Sequence, residues 1–311
     1  MSQLKKCSEY GKKIIKWAGR ILSLLAVVFI VKKVMEIDFD SKLIFSPVGI
    51  MVIAALVLIQ TALIFLACRA WEHYLFQFGN VKPNRSRIWF VYSKANLFKY
   101  IPGNVFQYVG RNELAVESEL SHKQVAASTV ADTLTMVIIK VFVSFVLLRG
   151  QLFKVIEKYV DRRITIGIFI LGLICVFTLI VVLARKKDYI RLVVQSKKSI
   201  AKSLIDYLCV DAVSGIMYMA VICIILNYSC TFGEVCFLVG GYTMASVIGF
   251  VTPGAPGGIG IREAVIIFLS KGIIDSDLLT TAAVVMRIIC IAADILAFCF
   301  AYLLSRKCKR Y

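Results

Sequence analysis

The sequence has almost no histidine: His73 and His122 are the only two in 311 residues. They are too few and too far apart to argue for a metal centre, and no metal or other cofactor is expected. The ten cysteines include no CxxC spacing of the kind that zinc and redox sites use. Most fall within apolar stretches, where cysteine behaves as a small apolar residue. Cys230 and Cys236 flank a short loop and are candidates to pair. A cleavable leader is not expected, because the first apolar stretch is long and lacks a small-residue cleavage site, so it reads as an anchor. There is no P-loop signature for ATP. Any energy input must therefore come from ion gradients, membrane potential or downstream consumption. Acidic residues are scarce as well, 19 against 37 Lys and Arg, for a net charge of +18.

That imbalance does not point to nucleic acid, because the basic residues are not interleaved with aromatics on a soluble face. They crowd instead at Lys5–Arg20, Arg185–Lys202 and Arg306–Arg310, between or beyond apolar blocks. This is the pattern of cytoplasmic loops facing anionic phospholipid headgroups. With 59% apolar residues and a mean hydropathy of +0.82, a soluble fold would have no way to hide its apolar surface. The expected class is an all-α polytopic membrane protein, a single transmembrane domain over 1–311.

Six stretches are long enough to span: 14–34, 47–68, 124–148, 164–184, 203–227 and 278–304. Two others, 86–117 and 235–272, are interrupted by Pro/Gly segments at Ile101-Pro102-Gly103-Asn104 and Thr252-Pro253-Gly254-Ala255-Pro256-Gly257-Gly258. Proline and clustered glycine do not continue a helix, so both are read as re-entrant hairpins. With the termini cytoplasmic, this arrangement puts the three strong basic clusters inside an inner (cytoplasmic) membrane. The loop at 149–163 is the exception, its basic residues lying outside.

The halves 47–148 and 203–304 echo one another weakly. Pro102-Gly103 with Gly110-Arg111-Asn112-Glu113 answers Pro256-Gly257-Gly258 with Arg262-Glu263, and Val130-Ala131-Asp132-Thr133-Leu134 answers Ala292-Ala293-Asp294-Ile295-Leu296. Paired interrupted segments in two halves mark a transport site near the midplane, and irregular backbone at that depth must line a cavity or pack in protein. The expected architecture is an inverted repeat.

The second segment carries the clearest site chemistry. Gly257, Gly258 and Gly260 let backbone N–H groups converge ahead of a helix, a suitable cradle for phosphate or carboxylate, and Arg262 can add a bidentate contact. Glu263, Asn104 and Arg111 complete the predicted substrate-binding set. The architectural alternative is a tight turn in which Arg262 pairs with Glu263, Asp275 or a lipid headgroup. Asp132, Lys140, Arg287 and Asp294 lie within apolar helices, where an ionised side chain is costly unless paired or hydrated. They are expected to line or gate a cavity, or to pair as Asp132 with Arg287 and Asp294 with Lys140. Arg20, Arg69 and Lys99 are expected to snorkel to headgroups, Asp206 and Asp211 are ambiguous, and Trp71, Tyr74, Trp89, Tyr92 and Tyr100 look like an interfacial belt. A rival reading is a membrane glycosyltransferase using a lipid-phosphate sugar, with Asp38 and Asp40 as a metal-binding pair. Asp275 and Asp277 can equally cap the last helix.

Taken together, Pro256-Gly257-Gly258-Ile259-Gly260-Ile261-Arg262-Glu263-Ala264, the Lys271-Gly272-Ile273-Ile274 turn and Met286-Arg287 resemble the transmembrane-region family of lysylphosphatidylglycerol synthases, also called flippase-like. The first-half segment, which reads Pro-Gly-Asn, and the region of Asp132 also resemble its motifs. The resemblance implies translocation of a lipid headgroup between leaflets, by a stand-alone member without the soluble aminoacyl-transferase domain. Its partners would be a membrane lipid or lipid-linked substrate serving envelope glycolipid, polysaccharide or phospholipid metabolism, and a homodimer is compatible with it. A third expectation, from a different class, is a non-catalytic scaffold for an envelope enzyme.

Overall fold

A computed structural model describes residues 46–79, 84–101, 106–116, 120–159, 197–252, 256–258, 260–270 and 274–308. The expected spans at 14–34 and 164–184, together with Arg20, Asp38, Asp40 and Asn104, lie outside the described residues. Among those described there are eight α-helices and no strand. They are α1 (Pro47–Gly79), α2 (Arg85–Leu97), α3 (Phe106–Val116), α4 (His122–Tyr159), α5 (Lys197–Ala220), α6 (Phe232–Val251), α7 (Ile261–Ser270) and α8 (Ser276–Cys308). A π-helical turn, Val221–Ile225, extends α5.

Local chemistry sets the helix starts. Thr231 and Glu234 close a capping box ahead of α6, the Thr231 side chain receiving the Glu234 N–H and the Glu234 carboxylate receiving the Thr231 N–H. Ser121 and Gln124 exchange the same two bonds ahead of α4. Asp275 Oδ1 accepts the Asp277 N–H at the start of α8, the capping role open to it from the sequence.

Among the described residues, five helices are long and apolar enough to cross a membrane: α1, α4, α5 with its π turn, α6 and α8. The outer face of α4 shows why they need lipid. Val130, Leu134, Ile138, Phe142 and Phe145 are all exposed, following helical spacing in an apolar stripe that water would penalise. The protein is therefore a helical membrane protein. The two interrupted stretches differ from one another. At 13 residues, α2 rises only ~20 Å, short of a ~30 Å hydrocarbon core. At 20 residues, α6 is long enough to cross, because no proline interrupts it before Pro253.

Packing inside the bundle relies on small residues. Ala293, Ala297 and Ala301 form a fully buried stripe on α8; Ala293 and Ala297 sit in one cluster with Ile64, Cys68 and Trp71 of α1 and Val91 and Tyr92 of α2. Side chains this small let helix backbones approach closely where lipid gives no hydrophobic drive to associate. The expected aromatic belt is instead largely interior. Trp71 and Tyr74 are buried, with Trp71 Nε1 donating to Thr129 Oγ1 at 3.2 Å and the Tyr74 hydroxyl bonded to Thr135. A buried ring nitrogen or phenol needs a polar partner, and α4 supplies both.

The two halves pack reciprocally. α2 lies against α8 and α6 against α4; α2 pairs with α3 as α6 does with α7; and α3 rests on α4 as α7 does on α8. The long first helices of the halves, α1 and α5, pack on each other. Their contacts run in opposite directions: Ser199 bonds Gln77, Ser203 bonds the Ala70 carbonyl, and Asp206 takes Arg69. α1 and α5 are antiparallel.

Candidate functional site

The short turns beside the two Pro/Gly segments, Phe98–Tyr100 and Pro256–Gly258, touch one another. Between them and the mid-portions of α4, α5, α6 and α8 lies a cavity of about 220 Å³. A single water needs roughly 10–15 Å³ of such space, so the cavity has ample room for a small polar group.

Among the described residues, four cations line this cavity: Lys99, Lys140, Arg262 and Arg287. Three of them are matched by carboxylates. Lys99 Nζ lies 2.6 Å from Asp294 Oδ2, and Asp294 also receives the Tyr100 hydroxyl at 2.5 Å and the Asn96 amide at 2.6 Å. Lys140 pairs with Asp211. Arg287 donates to the Gly257 carbonyl at 2.8 Å and to Glu263 at 3.3 Å. Arg262 makes no ion pair among the described residues, and its Nε is buried without a hydrogen-bond partner.

The backbone explains how Arg262 is held. Gly257, Gly258 and Gly260 have φ of +57°, +73° and +81°, the left-handed region that glycine adopts without penalty. A Cβ on Gly258 would sit 3.0 Å from the backbone of Gly249 in α6 and 2.9 Å from Arg262 Nε. Glycine at this position lets the second segment lie directly on α6 and the Arg262 side chain pass between them.

These contacts correct the expected pairings. Asp132 does not meet Arg287, nor Asp294 Lys140. Each ion finds a partner on an element the linear spacing does not reveal: α3 for Asp132, the turn after α2 for Asp294, and α5 for Lys140. Arg262 pairs with neither Glu263 nor Asp275 among the described residues, because Glu263 is taken by Arg287. Lys99 and Arg69 also differ from simple snorkelling. Lys99 is held by Asp294, and Arg69 bonds Asp206 through both Nε and Nη2 while its side chain stays half-exposed. Cys230 and Cys236 are both free, and the Cys230 sulfur lies 3.8 Å from that of Cys223.

Arg111 and Asp132 do not reach the cavity wall. Arg111 Nη1 donates to Asp132 at 3.0 Å, and its guanidinium lies 4.1 Å from the Tyr92 ring centre, with Trp71 and Tyr108 beyond. The Tyr207 hydroxyl donates to the other Asp132 oxygen at 2.6 Å. Both charged side chains are almost fully buried, so this cluster is a buried weld joining α3, α4 and α5. A guanidinium sandwiched by rings and bonded to a carboxylate is poorly placed to receive a ligand. From the predicted set, the structure brings together Arg262, Gly257, Glu263, Lys140 and Arg287 on the cavity wall. Gly258 lies behind Arg262, Asp294 behind Lys99, and Arg111 with Asp132 lies apart.

Sequence reasoning missed the parts played by Tyr100, Lys99, Asp211 and Tyr207. Lys99 and Tyr100 stand immediately before the first Pro/Gly segment, and that position was the available signal. Asp211 was visible only as an acid in an apolar helix. The chain matches no family model, no curated protein and no solved structure.

Proposed function

We propose that this protein moves a lipid, or a lipid-linked saccharide, with an anionic headgroup from one leaflet of the cytoplasmic membrane to the other. The headgroup would enter the cavity between the two Pro/Gly segments while its hydrocarbon chains stay in the bilayer. The observation that carries this reading is a cavity among the mid-portions of membrane-length helices, lined among the described residues by four cations, of which Arg262 is unmatched by a carboxylate. An unmatched charge at that depth is costly. A ligand anion offsets the cost, and helix-end N–H groups beside it strengthen the same site.

The two-fold exchange of packing partners favours a transporter architecture. Equivalent helices that run antiparallel, as α1 and α5 do, are related by an axis in the membrane plane. That is the geometry of an inverted repeat. We assign to the whole chain the six spans read from the sequence and two interrupted segments between them, the second of which holds the crossing-length α6, with both termini cytoplasmic, and place it by resemblance in the flippase-like family. Reconstitution into liposomes with anionic phospholipids carrying a fluorophore on an acyl chain tests the reading. Chemical quenching from outside should reveal labelled lipid arriving from the inner leaflet faster than in protein-free vesicles. Equal rates for every anionic lipid tried would refute it.

A further inference from the structure

The charge bookkeeping at the cavity wall goes further than the sign of the ligand. We infer that the headgroup carries one negative charge and no positive one: a phosphodiester bearing a hydroxylated group. The inference rests on the anion-site reading above and refines it.

Each of the three carboxylates at or behind the wall, Asp211, Asp294 and Glu263, is engaged by a cation. A headgroup ammonium would have to compete with Lys140, Lys99 or Arg287 for its counter-ion. Among the described residues, Arg262 alone is left over, and one negative charge makes the wall neutral. A second would bring an uncompensated charge into a low-dielectric site, which carries the same penalty as leaving Arg262 bare. The residues 253–255 and 259, which flank the site in sequence, are Pro, Gly, Ala and Ile and add no charge. Phosphomonoesters and diphosphates therefore fit poorly, and so do zwitterionic amines. The rest of the wall suits a polyol, with Gln60, Ser214 and Tyr242 contributing an amide and two hydroxyls. Glu263 Oε2, buried without a hydrogen-bond partner, adds an acceptor for a hydroxyl. The volume of about 220 Å³ admits a phosphodiester with a small hydroxylated group.

The full chain, purified in a mild detergent, is titrated by native mass spectrometry with four dioleoyl lipids. These are phosphatidylglycerol, phosphatidylethanolamine, phosphatidylcholine and diacylglycerol pyrophosphate, with the soluble diester glycerophosphoglycerol as a fifth ligand. Phosphatidylglycerol should bind at least tenfold more tightly than each of the others. The weak binding of glycerophosphoglycerol assigns the site to a lipid headgroup and not to a free phosphodiester; affinity equal to the lipid's would overturn that assignment. Gln60→Lys adds a second unmatched cation, and should move the preference toward the pyrophosphate lipid by about tenfold, comparable to one close charge pair screened nearly as in bulk water. Pyrophosphate or ethanolamine lipid binding wild type as tightly as phosphatidylglycerol would overturn the single-charge inference and leave the anion site standing. If no anionic lipid binds better than phosphatidylcholine, the anion site itself fails and the inference fails with it.

Discussion

Arg287 donates from Nη1 to the carbonyl oxygen of Gly257 at 2.8 Å, tying the middle of α8 to the second Pro/Gly segment. The same guanidinium neutralises Glu263, so it closes one side of the cavity and stabilises it. Arg287→Met should strand Glu263 and the Gly257 carbonyl, at a cost of about 1–3 kcal/mol for polar groups left without partners in a partly buried site. Arg287→Met combined with Glu263→Met should recover more than half of that loss. Thermal unfolding of the purified variants in detergent reads both effects.

The Arg111–Asp132 pair gives a contrasting expectation. Arg111→Met leaves Asp132 buried with only the Tyr207 hydroxyl, and should also cost about 3–5 kcal/mol. Arg111→Met with Asp132→Leu should restore much of the stability. Arg262→Ala removes no ion pair seen in the structure, so its unfolding midpoint should stay close to wild type, a change within about 1 kcal/mol. Unfolding scans on the three variants separate the structural arginine from the functional one.

The glycines of the second segment should differ in tolerance. Gly257→Ala places a side chain at φ +57°, which costs roughly 1–2 kcal/mol but meets nothing closer than the 3.3 Å to Arg287 Nη1. Gly258→Val adds a Cβ 3.0 Å from the Gly249 backbone and should lift the segment off α6. Leaflet-transfer assays should find reduced rates for Gly257→Ala and background rates for Gly258→Val.

Much of the fold was legible in the sequence because membrane helices are written in long apolar runs. The described spans begin near the expected positions, although α1 runs on past 68 to Gly79 and α4 past 148 to Tyr159; the turn after α2 ends at Tyr100 and α6 ends at Val251, each just ahead of its Pro/Gly segment. The reach of α6 was less clear, since the Pro/Gly segment at 252–258 makes 235–272 read as a hairpin, whereas the helix starts at Phe232 and runs 20 residues before that segment. The cations of the site were legible as charges in apolar surroundings, but their partners were not. Partner choice depends on which helices pack, and Asp294 meets Lys99 only because α2 lies against α8. Arg111 looked like the counterpart of Arg262 by its Gly-Arg context, yet the ring faces of Tyr92 and Trp71 turn it into a structural element. No linear motif announces an aromatic sandwich.

Orientation is testable at the loop before α6. Cys230 is pushed up to about 12, first by burial and then by its neighbour Cys223, so its reactive thiolate is scarce at neutral pH. In a variant retaining only Cys223 and Cys230, a membrane-impermeant maleimide added outside intact cells should label this loop. The share of labelling at Cys230 should rise as pH rises toward that value, because thiolate increases. A cysteine placed at position 190 should stay unlabelled until the membrane is opened. Labelling of 190 from outside would reverse the assigned orientation.

The most direct test of the central claim is leaflet transfer of an anionic phospholipid by reconstituted Arg262 variants. Protein inserted with wild-type yield and unfolding midpoint should lose nearly all transfer in Arg262→Ala and Arg262→Glu. Arg262→Lys should keep part of the rate, because the charge remains while the planar fork is lost. Well-folded Arg262→Ala that moves the lipid at the wild-type rate would contradict the account and leave the Pro/Gly segments as architecture alone.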